Sequence, residues 1–528
     1  MFQTLKQRIA ALGQRILGAG ASDPATTEPA PTPSPPPPPV TRPATVSADR
    51  AQTDTRRRRT RDPAPRRDPA PRSNQAAPPP RPWKGETTKR GGTGLRVVSR
   101  PDHNISRANI SPNAVKVLNR LHHAGFQAHL VGGGVRDLLL GREPKDFDVA
   151  TDAEPEQVRE VFRNCRLIGR RFRLAHVHFG REIVEVATFR GLNPDEDDPD
   201  RRIENGLIVR DNAYGTIEED ALRRDFTVNA LYYDISDFSV LDYTNGLDDL
   251  RAGRLRLIGD NPERRYREDP VRMLRAIRFA CKLGFSIDPD CERPLVEMGY
   301  LLQDIAAARL FEELLKLFQA GFGLDAFEKL RHYGLFGELF PDTDACLAHE
   351  EHDFPLTFVS RGLANTDNRI QQDLPVTPAF LFGVLLWEPV RRRYETLLDQ
   401  GREPIDAISL AGSEIAARQQ SRVAIPKRFS LPMREIWELQ PRLEQRQGNR
   451  PARLIGHPRF RAAYDFLVLR AAAGEVDPEL ANWWTQYQEG NPQDRARMTE
   501  AGTKPRRRRR RRKPRDGTAP AVGAQDAD

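Results

Sequence analysis

The sequence predicts an α/β (α+β) head with a mixed sheet, then an all-helical neck and body, with disordered termini. Strand and helix patterns alternate between residues 113 and 189, which is typical of a sheet covered by helices. From about Gly253 onward the apolar residues recur almost wholly at helical spacing. The chain has 528 residues, and we predict a catalytic head at 96–252, a neck at 253–335 and a body at 336–490.

The N-terminal segment lies outside these predicted domains. In residues 1–18 apolar side chains recur at helical spacing with basic residues between them, which predicts a short amphipathic helix. Peripheral contact with a membrane or a partner is one interpretation of this helix, and a frayed terminus is the other. Residues 19–95 are rich in Pro, Ala, Thr and Arg and cannot bury enough apolar surface to fold, so we predict disorder there.

The basic charge of the chain lies at its two ends. Residues 1–97 carry a net charge of +11 and residues 501–528 carry +7, so residues 98–500 carry −9 within the total of +9. We predict that 491–528 is a disordered basic tail that binds RNA phosphates without reading sequence. An anionic membrane surface is the competing partner. The tail contains a run of seven arginines: Arg506, Arg507, Arg508, Arg509, Arg510, Arg511 and Arg512.

The cysteines and the hydropathy pattern bear on location. The four cysteines form no C-x-x-C or zinc-ligand pattern, and no secretory signal is apparent. This usage predicts the reducing environment of the cytoplasm. No apolar run is long enough to cross a bilayer, so we expect no transmembrane segment.

The elements of the head follow from local periodicity and breakers. Helices are predicted at 113–124, 135–140, 155–162 and 217–224, and strands at 126–131, 146–150, 173–179 and 182–189. The segment 193–205 is acidic and contains two prolines, which predicts a loop. In the helical part the clearest predicted helices are 270–283, 306–320, 326–333, 378–387, 433–444 and 459–473.

A glycine turn and an acidic pair mark the candidate site. The segment Leu130-Val131-Gly132-Gly133-Gly134 predicts a strand that enters a glycine turn and then a short helix, where backbone N–H groups can approach an anion. Asp146 and Asp148 follow at i and i+2 of the next predicted strand and therefore point to one face. Two carboxylates beside a phosphate cradle suit a pair of Mg²⁺ ions for phosphoryl or nucleotidyl transfer.

This combination resembles the nucleotidyltransferase superfamily, in particular the class that contains bacterial poly(A) polymerase and the tRNA CCA-adding enzymes. The resemblance implies that Gly132 and Gly133 cradle the triphosphate of ATP and that Arg136 neutralises its charge. It also implies that Asp146 and Asp148 hold two Mg²⁺ ions. No Walker-type motif follows a strand, which disfavours that mode of ATP binding.

Two further acidic residues are candidates to complete the carboxylate site. Glu185 is a lone carboxylate within the apolar strand at 182–189, so it faces a metal, an arginine or water. Asp225 lies in Arg223-Arg224-Asp225-Phe226-Thr227, which resembles a family motif whose carboxylate is counted with the catalytic pair. We rank Asp225 first on the resemblance. The alternatives are an exposed edge-strand position for Glu185 and a structural ion-pair network for Asp225.

The segment Glu268-Asp269-Pro270-Val271-Arg272 resembles the signature by which CCA-adding relatives read the base of the incoming nucleotide. The resemblance places base reading on Asp269 and Arg272, whose side chains suit edge recognition. Arg275 and Arg278 continue the series at every third residue, and we expect Arg275 to bind nucleotide as well. A solvated basic stripe on an amphipathic helix is the alternative.

The segment Leu167-Ile168-Gly169-Arg170-Arg171 and the residues through Val177 resemble the signature that separates bacterial poly(A) polymerase I from the CCA-adding enzymes. Segments in the C-terminal half, such as 457–465, and the arginine tail agree. The resemblance implies template-independent transfer of AMP from ATP to RNA 3′ ends in RNA processing and decay, with RNA-decay proteins as expected partners. We accordingly expect the neck at 253–335 to bind the nucleotide base and RNA, and the body at 336–490 to bind RNA. A tRNA CCA-adding enzyme is the alternative enzyme. A non-catalytic RNA-binding protein is disfavoured, because binding alone needs neither the glycine turn nor the acidic pair.

Overall fold

The computed structural model describes residues 88–89, 94–169, 173–192, 201–204, 207–211, 213–351, 354–355 and 357–500. All of them belong to one unit, Ala76–Asp528. The predicted amphipathic helix at 1–18, nearly all of the segment at 19–95 and the arginine run lie outside the described residues.

The head is built on a nine-stranded mixed sheet. The strands of the head and of a short separate hairpin are β1 (Thr88–Lys89), β2 (Arg96–Val98), β3 (Ala128–Val131), β4 (Asp148–Thr151), β5 (Cys165–Ile168), β6 (Leu174–Phe179), β7 (Glu182–Thr188), β8 (Arg201–Glu204), β9 (Leu207–Asp211), β10 (Leu231–Asp234) and β11 (Val240–Asp242). The order in the sheet is β1-β2-β11-β10-β3-β4-β7-β6-β5. Its neighbours are antiparallel except β4 and β7, which are parallel.

The sheet is apolar on both faces, and β4 shows why. Val149 packs into the main core with Leu118 and Leu121 of the first head helix, whereas Ala150 joins a smaller cluster with Tyr232 on the opposite face. Asp148 shares the face of Ala150, because strand residues at i and i+2 point the same way. The acidic position therefore lies beside the smaller cluster.

The helices of the head and neck are α1 (Pro112–His123), α2 (Gly133–Leu139), α3 (Pro155–Val161), α4 (Ile217–Arg223), α5 (Gly246–Ala252), α6 (Pro262–Glu268), α7 (Val271–Leu283), α8 (Pro289–Met298), α9 (Ala307–Phe318) and α10 (Gly323–His332). Pro270 directly precedes α7, and Gly284 ends it with φ +72°. Glycine is suited to this left-handed position at a helix end.

The body is helical except for a short antiparallel pair of strands, Glu350–Glu351 and Phe354–Pro355. Its elements are α11 (Leu335–Leu339), α12 (Pro341–Leu347), α13 (Phe358–Gln371), α14 (Pro378–Leu385), α15 (Trp387–Asp399), α16 (Pro404–Gln420), α17 (Lys427–Glu438), α18 (Gln440–Leu443), α19 (Arg450–Ile455), α20 (Phe460–Ala472), α21 (Pro478–Glu489) and α22 (Pro492–Glu500). No helix in the ranges given above is both long and apolar enough to span a bilayer.

The predicted fold class is confirmed, with local corrections. The strand predicted at 146–150 begins at Asp148, so Asp146 lies in the preceding turn. The segment predicted as a loop at 193–205 contains β8, which pairs with β9. The helix predicted at 433–444 instead starts at Lys427 and is interrupted after Glu438.

Candidate active site

Asp148 and Glu185 lie opposite each other on the two parallel strands of the head sheet. Paired positions on neighbouring strands share a face, so both side chains point to the same side. Both line a cavity of about 590 Å³, together with Asp146, Gly132 and Gly133. The predicted glycine turn and the predicted acidic pair therefore meet in one cavity.

The glycine turn approaches the acidic residues closely. Gly132 precedes α2 with φ +74° and ψ −136°, a conformation that side chains rarely adopt without strain. A Cβ atom at Gly132 would lie 3.6 Å from Nη1 of Arg224 and 4.0 Å from Oδ2 of Asp148. A Cβ atom at Gly134 would lie 3.4 Å from the carbonyl oxygen of Asp146. Small residues thus let the turn pack against the segment that carries the acidic pair.

The surroundings of Asp148 perturb its ionisation. Burial raises the pKa of Asp148 from its ordinary value of 3.8 to about 6, and the carboxylate of Glu185 contributes in the same direction. Arg224 opposes this effect and Asp146 adds to it. Ionisation of Asp148 therefore costs free energy in the folded protein, and a nearby cation would reduce that cost.

The donor set fits Mg²⁺. Within the residues described here, no cluster of three or more His, Cys, Asp or Glu has the arrangement of a site made by protein alone. Mg²⁺ commonly binds through one or two carboxylates and completes its coordination with water and substrate phosphates. Asp146 and Asp148, beside a glycine turn, match that second kind of site.

Arg224 brings positive charge to the glycine turn. Its Nε and Nη2 donate to Oδ2 of Asp220 at 3.1 and 2.9 Å, and Nε also donates to the hydroxyl of Tyr232 at 3.1 Å. Burial alone would lower the pKa of Arg224, but Asp220 and Tyr232 outweigh it and hold the pKa above its ordinary value. Arg224 was not among the site residues predicted from the sequence. Its position beside Asp225 in the motif is the feature that could have indicated it.

Asp225 is engaged by the protein on both oxygens. Oδ2 accepts from Nε of Arg275 at 2.7 Å, and Oδ1 accepts from the N–H of Phe226 at 2.8 Å and from Nδ2 of Asn229 at 3.1 Å. Burial would raise the pKa of Asp225, but Arg275 and these hydrogen bonds hold it well below its usual range. Glu185, and not Asp225, lies opposite Asp148, and both Glu185 and Asp225 line the cavity.

Glu185 lines the cavity beside His176. Its Oε2 lies 3.2 Å from Nε2 of His176, and its side chain is 41% exposed. His176 also lines the cavity and belongs to the segment that resembles the poly(A) polymerase signature. Glu185 is thus half-open to solvent and not an unpaired buried charge.

Arg136 lies in the lining of the cavity but is engaged by neighbouring protein groups. Its side chain is 1% exposed, and its Nε and Nη2 donate to Oδ1 of Asp137 at 2.8 and 2.7 Å. Its Nη1 donates to Oδ1 of Asn229 at 2.5 Å. The guanidinium therefore donates its hydrogen bonds to protein groups. It also packs against the glycine turn, because its Nη2 lies 3.4 Å from a Cβ atom placed on Gly133.

Helix α7 forms the opposite wall of the cavity. Arg275, Arg278 and Phe279 line it, and both guanidinium groups lie over the Phe279 ring at 5.3 and 4.9 Å. Burial lowers the pKa of Arg278 to about 10, with a further contribution from Arg275. In the described structure Nε of Arg278 is buried without a hydrogen-bond partner. An anionic ligand in the cavity would supply that partner.

Asp269 and Arg272, which we predicted to read the base, lie outside this cavity lining. Arg272 is buried, and its Nη1 donates to the carbonyl of Arg265 at 2.6 Å and to Oε2 of Glu268 at 3.1 Å. Oδ2 of Asp269 accepts from Nη2 of Arg309 at 2.7 Å. The three arginines of α7 thus differ, since only Arg275 and Arg278 reach the cavity.

The cavity carries both acidic and basic side chains. Asp146, Asp148 and Glu185 of the head contribute carboxylates, and basic residues come from both the head and the neck. The additional basic residues that line the cavity are Lys145, Lys282 and Lys316. This combination of carboxylates for a cation and basic groups for phosphates suits a polyphosphate ligand.

Three family models match the chain. Residues 128–256 match "Poly A polymerase head domain", residues 284–347 match "Probable RNA and SrmB- binding site of polymerase A", and residues 400–516 match "Polymerase A arginine-rich C-terminus". The first match includes the glycine turn, the acidic pair and Asp225.

Curated relatives agree with these matches. The chain is 50% identical over 429 residues to poly(A) polymerase I of Salmonella typhi, covering 80% of this chain and 92% of that protein. It is 46% identical over 428 residues to poly(A) polymerase I of Haemophilus influenzae, covering 80% and 94%. It is 39% identical over 204 residues to the CCA-adding enzyme of Lactobacillus helveticus, covering 39% and 49%. The chain belongs to the poly(A) polymerase I family of nucleotidyltransferases.

Proposed function

We propose that the cavity transfers AMP from ATP to the 3′ end of RNA without a template and releases pyrophosphate. The observation that carries this proposal is the meeting of Asp146, Asp148 and the glycine turn in one cavity opposite a basic wall. Membership of the poly(A) polymerase I family supports the addition of AMP alone to a generic RNA. It disfavours the completion of a tRNA terminus from CTP and ATP.

Asp146 and Asp148 would hold Mg²⁺, and we propose two ions. When bound, the ions favour ionisation of the RNA 3′-hydroxyl and stabilise the charge of the leaving pyrophosphate. Glu185 is the better candidate for a third carboxylate on the grounds of its position opposite Asp148. The backbone of Gly132 and Gly133 lies close enough to these residues to cradle the triphosphate.

The arginines and lysines of the cavity would bind the phosphate groups and stabilise their charge. Arg224, held by Asp220 and Tyr232, is oriented toward the glycine turn, where it would neutralise the triphosphate. Arg275 is oriented by Asp225 and lies opposite, beside Arg278. Because these groups are fixed before substrate binds, they would stabilise developing charge without reorganising.

Asp269 and Arg272 would act on nucleotide choice by positioning. Arg272 and Arg265 both donate to Glu268, and Arg265 also donates to the backbone carbonyls of Arg223 and Arg224. This network joins the α6–α7 corner to the motif that carries Arg224. We therefore assign the pair to holding the neck against the head and not to direct reading of adenine.

Partners and location extend this proposal. The family model over 284–347 supports an RNA and protein contact in the neck, where we expect an RNA-decay protein. The arginine-rich family model over 400–516 supports RNA binding by the tail at 491–528. We propose a cytoplasmic enzyme with a head at 96–252, a neck at 253–335 and a body at 336–490. Peripheral membrane contact would come from the apolar and basic residues of 1–18.

The decisive experiment is a nucleotide-choice assay with purified protein. One reaction supplies ATP alone and a generic RNA, and the other supplies CTP and ATP with a tRNA that lacks its terminus. We expect extended poly(A) products in the first reaction. Selective repair of the tRNA would instead support a CCA-adding enzyme, and no product in either reaction would support RNA binding alone.

A further inference from the structure

A second groove lies in the helical body. It has a volume of about 420 Å³ and runs between α13, α14, α17 and the start of α20. We call it the body groove and define it by Pro378, Phe380, Arg428, Phe429, Pro432 and Arg461. The functions assigned above do not use these residues.

The body groove combines apolar rings with arginines. Phe380 and Phe429 are each half-buried and line its wall, which leaves part of each ring open to a ligand. The guanidinium of the exposed Arg428 lies 4.8 Å from the centre of the Phe429 ring. Aromatic faces with neighbouring arginines are the surface on which unpaired nucleic-acid bases stack.

The charge of the groove selects an anionic ligand. Arg369, Arg428, Arg459 and Arg461 line it, and Asp465 is the acidic residue among them. Arg461 pairs with Asp465, and Arg459 pairs with Glu435. Across the described ranges, no carboxylate lies within ion-pair distance of Arg428. In a folded part whose net charge is −9 between residues 98 and 500, this local positive charge favours a polyanion over an apolar peptide.

The groove lies next to the catalytic cavity along one helix. Lys316 of α9 lines the catalytic cavity, and Gln319 follows one turn later. Nε2 of Gln319 donates to the carbonyl of Val376 at 2.7 Å, and Val376 lines the body groove. Phe311, on the same helix, stacks on Phe429 with ring centres 5.9 Å apart. A strand that leaves the catalytic cavity past Lys316 would therefore reach the groove within a few nucleotides.

We propose that the body groove binds the single-stranded RNA just upstream of its 3′ end. One base stacks on Phe380 or on the Arg428 guanidinium that lies over the Phe429 ring, and the adjoining phosphates lie beside Arg428 and Arg369. This assignment rests on the proposed function and adds the place where the acceptor strand is gripped outside the catalytic cavity. It makes the groove a determinant of RNA length preference.

The test compares full-length wild type with Arg428→Gln and Phe429→Leu. Binding is measured by anisotropy with labelled oligo(A) of about 20 nucleotides at several salt concentrations, a length that spans both sites. AMP addition is measured on that RNA and on an RNA of about 4 nucleotides, too short to fill both sites. Arg402→Gln, which removes an exposed arginine outside the groove, is the matched control.

We expect each groove variant to weaken binding of the long RNA by about tenfold, since one stacked base contributes on that scale. Arg428→Gln should also reduce the slope of log K against log salt by about 0.7. Addition to the short RNA and the KM for ATP should stay at wild-type values, and Arg402→Gln should match wild type throughout.

Two results would overturn the assignment. One is unchanged binding of the long RNA by both variants, which would leave a protein partner as the occupant of the groove. The other is an equal loss on short and long RNA, which would mean that the substitutions act through the catalytic cavity. Failure of the proposed function is separate, because wild type would then add no AMP to either RNA while the binding comparison still decides the groove.

Discussion

Replacing Asp148 by Asn should abolish activity and yet stabilise the metal-free protein at neutral and alkaline pH. The raised pKa of Asp148 means that the folded state holds its proton more tightly than the unfolded state does. The stability from this group is fully present below the ordinary pKa of 3.8 and is lost as the pH rises through about 6. A shift of this size corresponds to at most about 3 kcal/mol at pH 8, which Asn would restore.

The assay is thermal unfolding of both proteins in a chelator and in Mg²⁺, at pH 5 and at pH 8. We expect Asp148→Asn to melt higher than wild type at pH 8 in chelator, with a smaller difference at pH 5. Mg²⁺ should raise the melting temperature of wild type more than that of the variant. AMP addition by the variant should fall by at least about 10³-fold, as for other groups that stabilise transition-state charge.

The control is Asp146→Asn. Asp146 is exposed and lies in the turn before β4, so this variant should lose activity without the gain in stability. The reasoning is refuted if Asp148→Asn and wild type melt together at pH 8 in chelator. It is equally refuted if Mg²⁺ stabilises Asp148→Asn as much as wild type, because the carboxylate would then not contribute to the metal site.

Three further predictions concern a head–neck ion pair, the neck and the tail. Asp225→Asn and Arg275→Gln should each lower kcat/KM for ATP. Because the two side chains act as a pair, the double variant should lose little more activity than either single variant, and additive losses would contradict the pairing. Arg272→Ala should lower the melting temperature, because Glu268 loses a hydrogen bond from a buried charged partner that contributes about 1.5–3 kcal/mol to stability. A reduced preference for ATP over CTP at unchanged stability would instead show that Arg272 reads the base. Deletion of 501–528 should weaken RNA affinity and flatten its salt dependence without changing turnover at saturating RNA, and identical salt slopes would exclude the tail from RNA binding.

The parts of the fold that the sequence predicts are those with strong local patterns. β6 and β7 alternate along their length, and the helix preceded by Pro270 and ended by Gly284 has both boundary signals. The strands that were missed are short, and β10 is buried at Leu231, Tyr232 and Tyr233 in succession. A strand buried on both faces has no period of two, so alternation could not reveal it.

The same distinction applies to the site. The glycine turn was predicted because a strand end and a helix start place its residues by local geometry, whereas Asp146 lies before β4 and shares the cavity with Asp148 without the strand alternation that we expected. The partners of the arginines could not be predicted, because Arg136 meets Asn229 across 93 positions and Arg275 meets Asp225 across 50. Composition and spacing show how many charged side chains a motif contains. They do not show which of these side chains bind to other protein groups in the folded structure.

Those pairings form one chain of side chains that starts and ends on α7. Hydrogen bonds and ion pairs connect, in order, Arg275, Asp225, Asn229, Arg136, Asp137 and Lys282. The chain passes through the segment after α4 and through α2, so it joins the neck to the glycine turn of the head, and all six residues line the catalytic cavity. Loss of one member would therefore move both walls of the cavity together. Both oxygens of Asp225 are engaged by the protein within this chain of contacts.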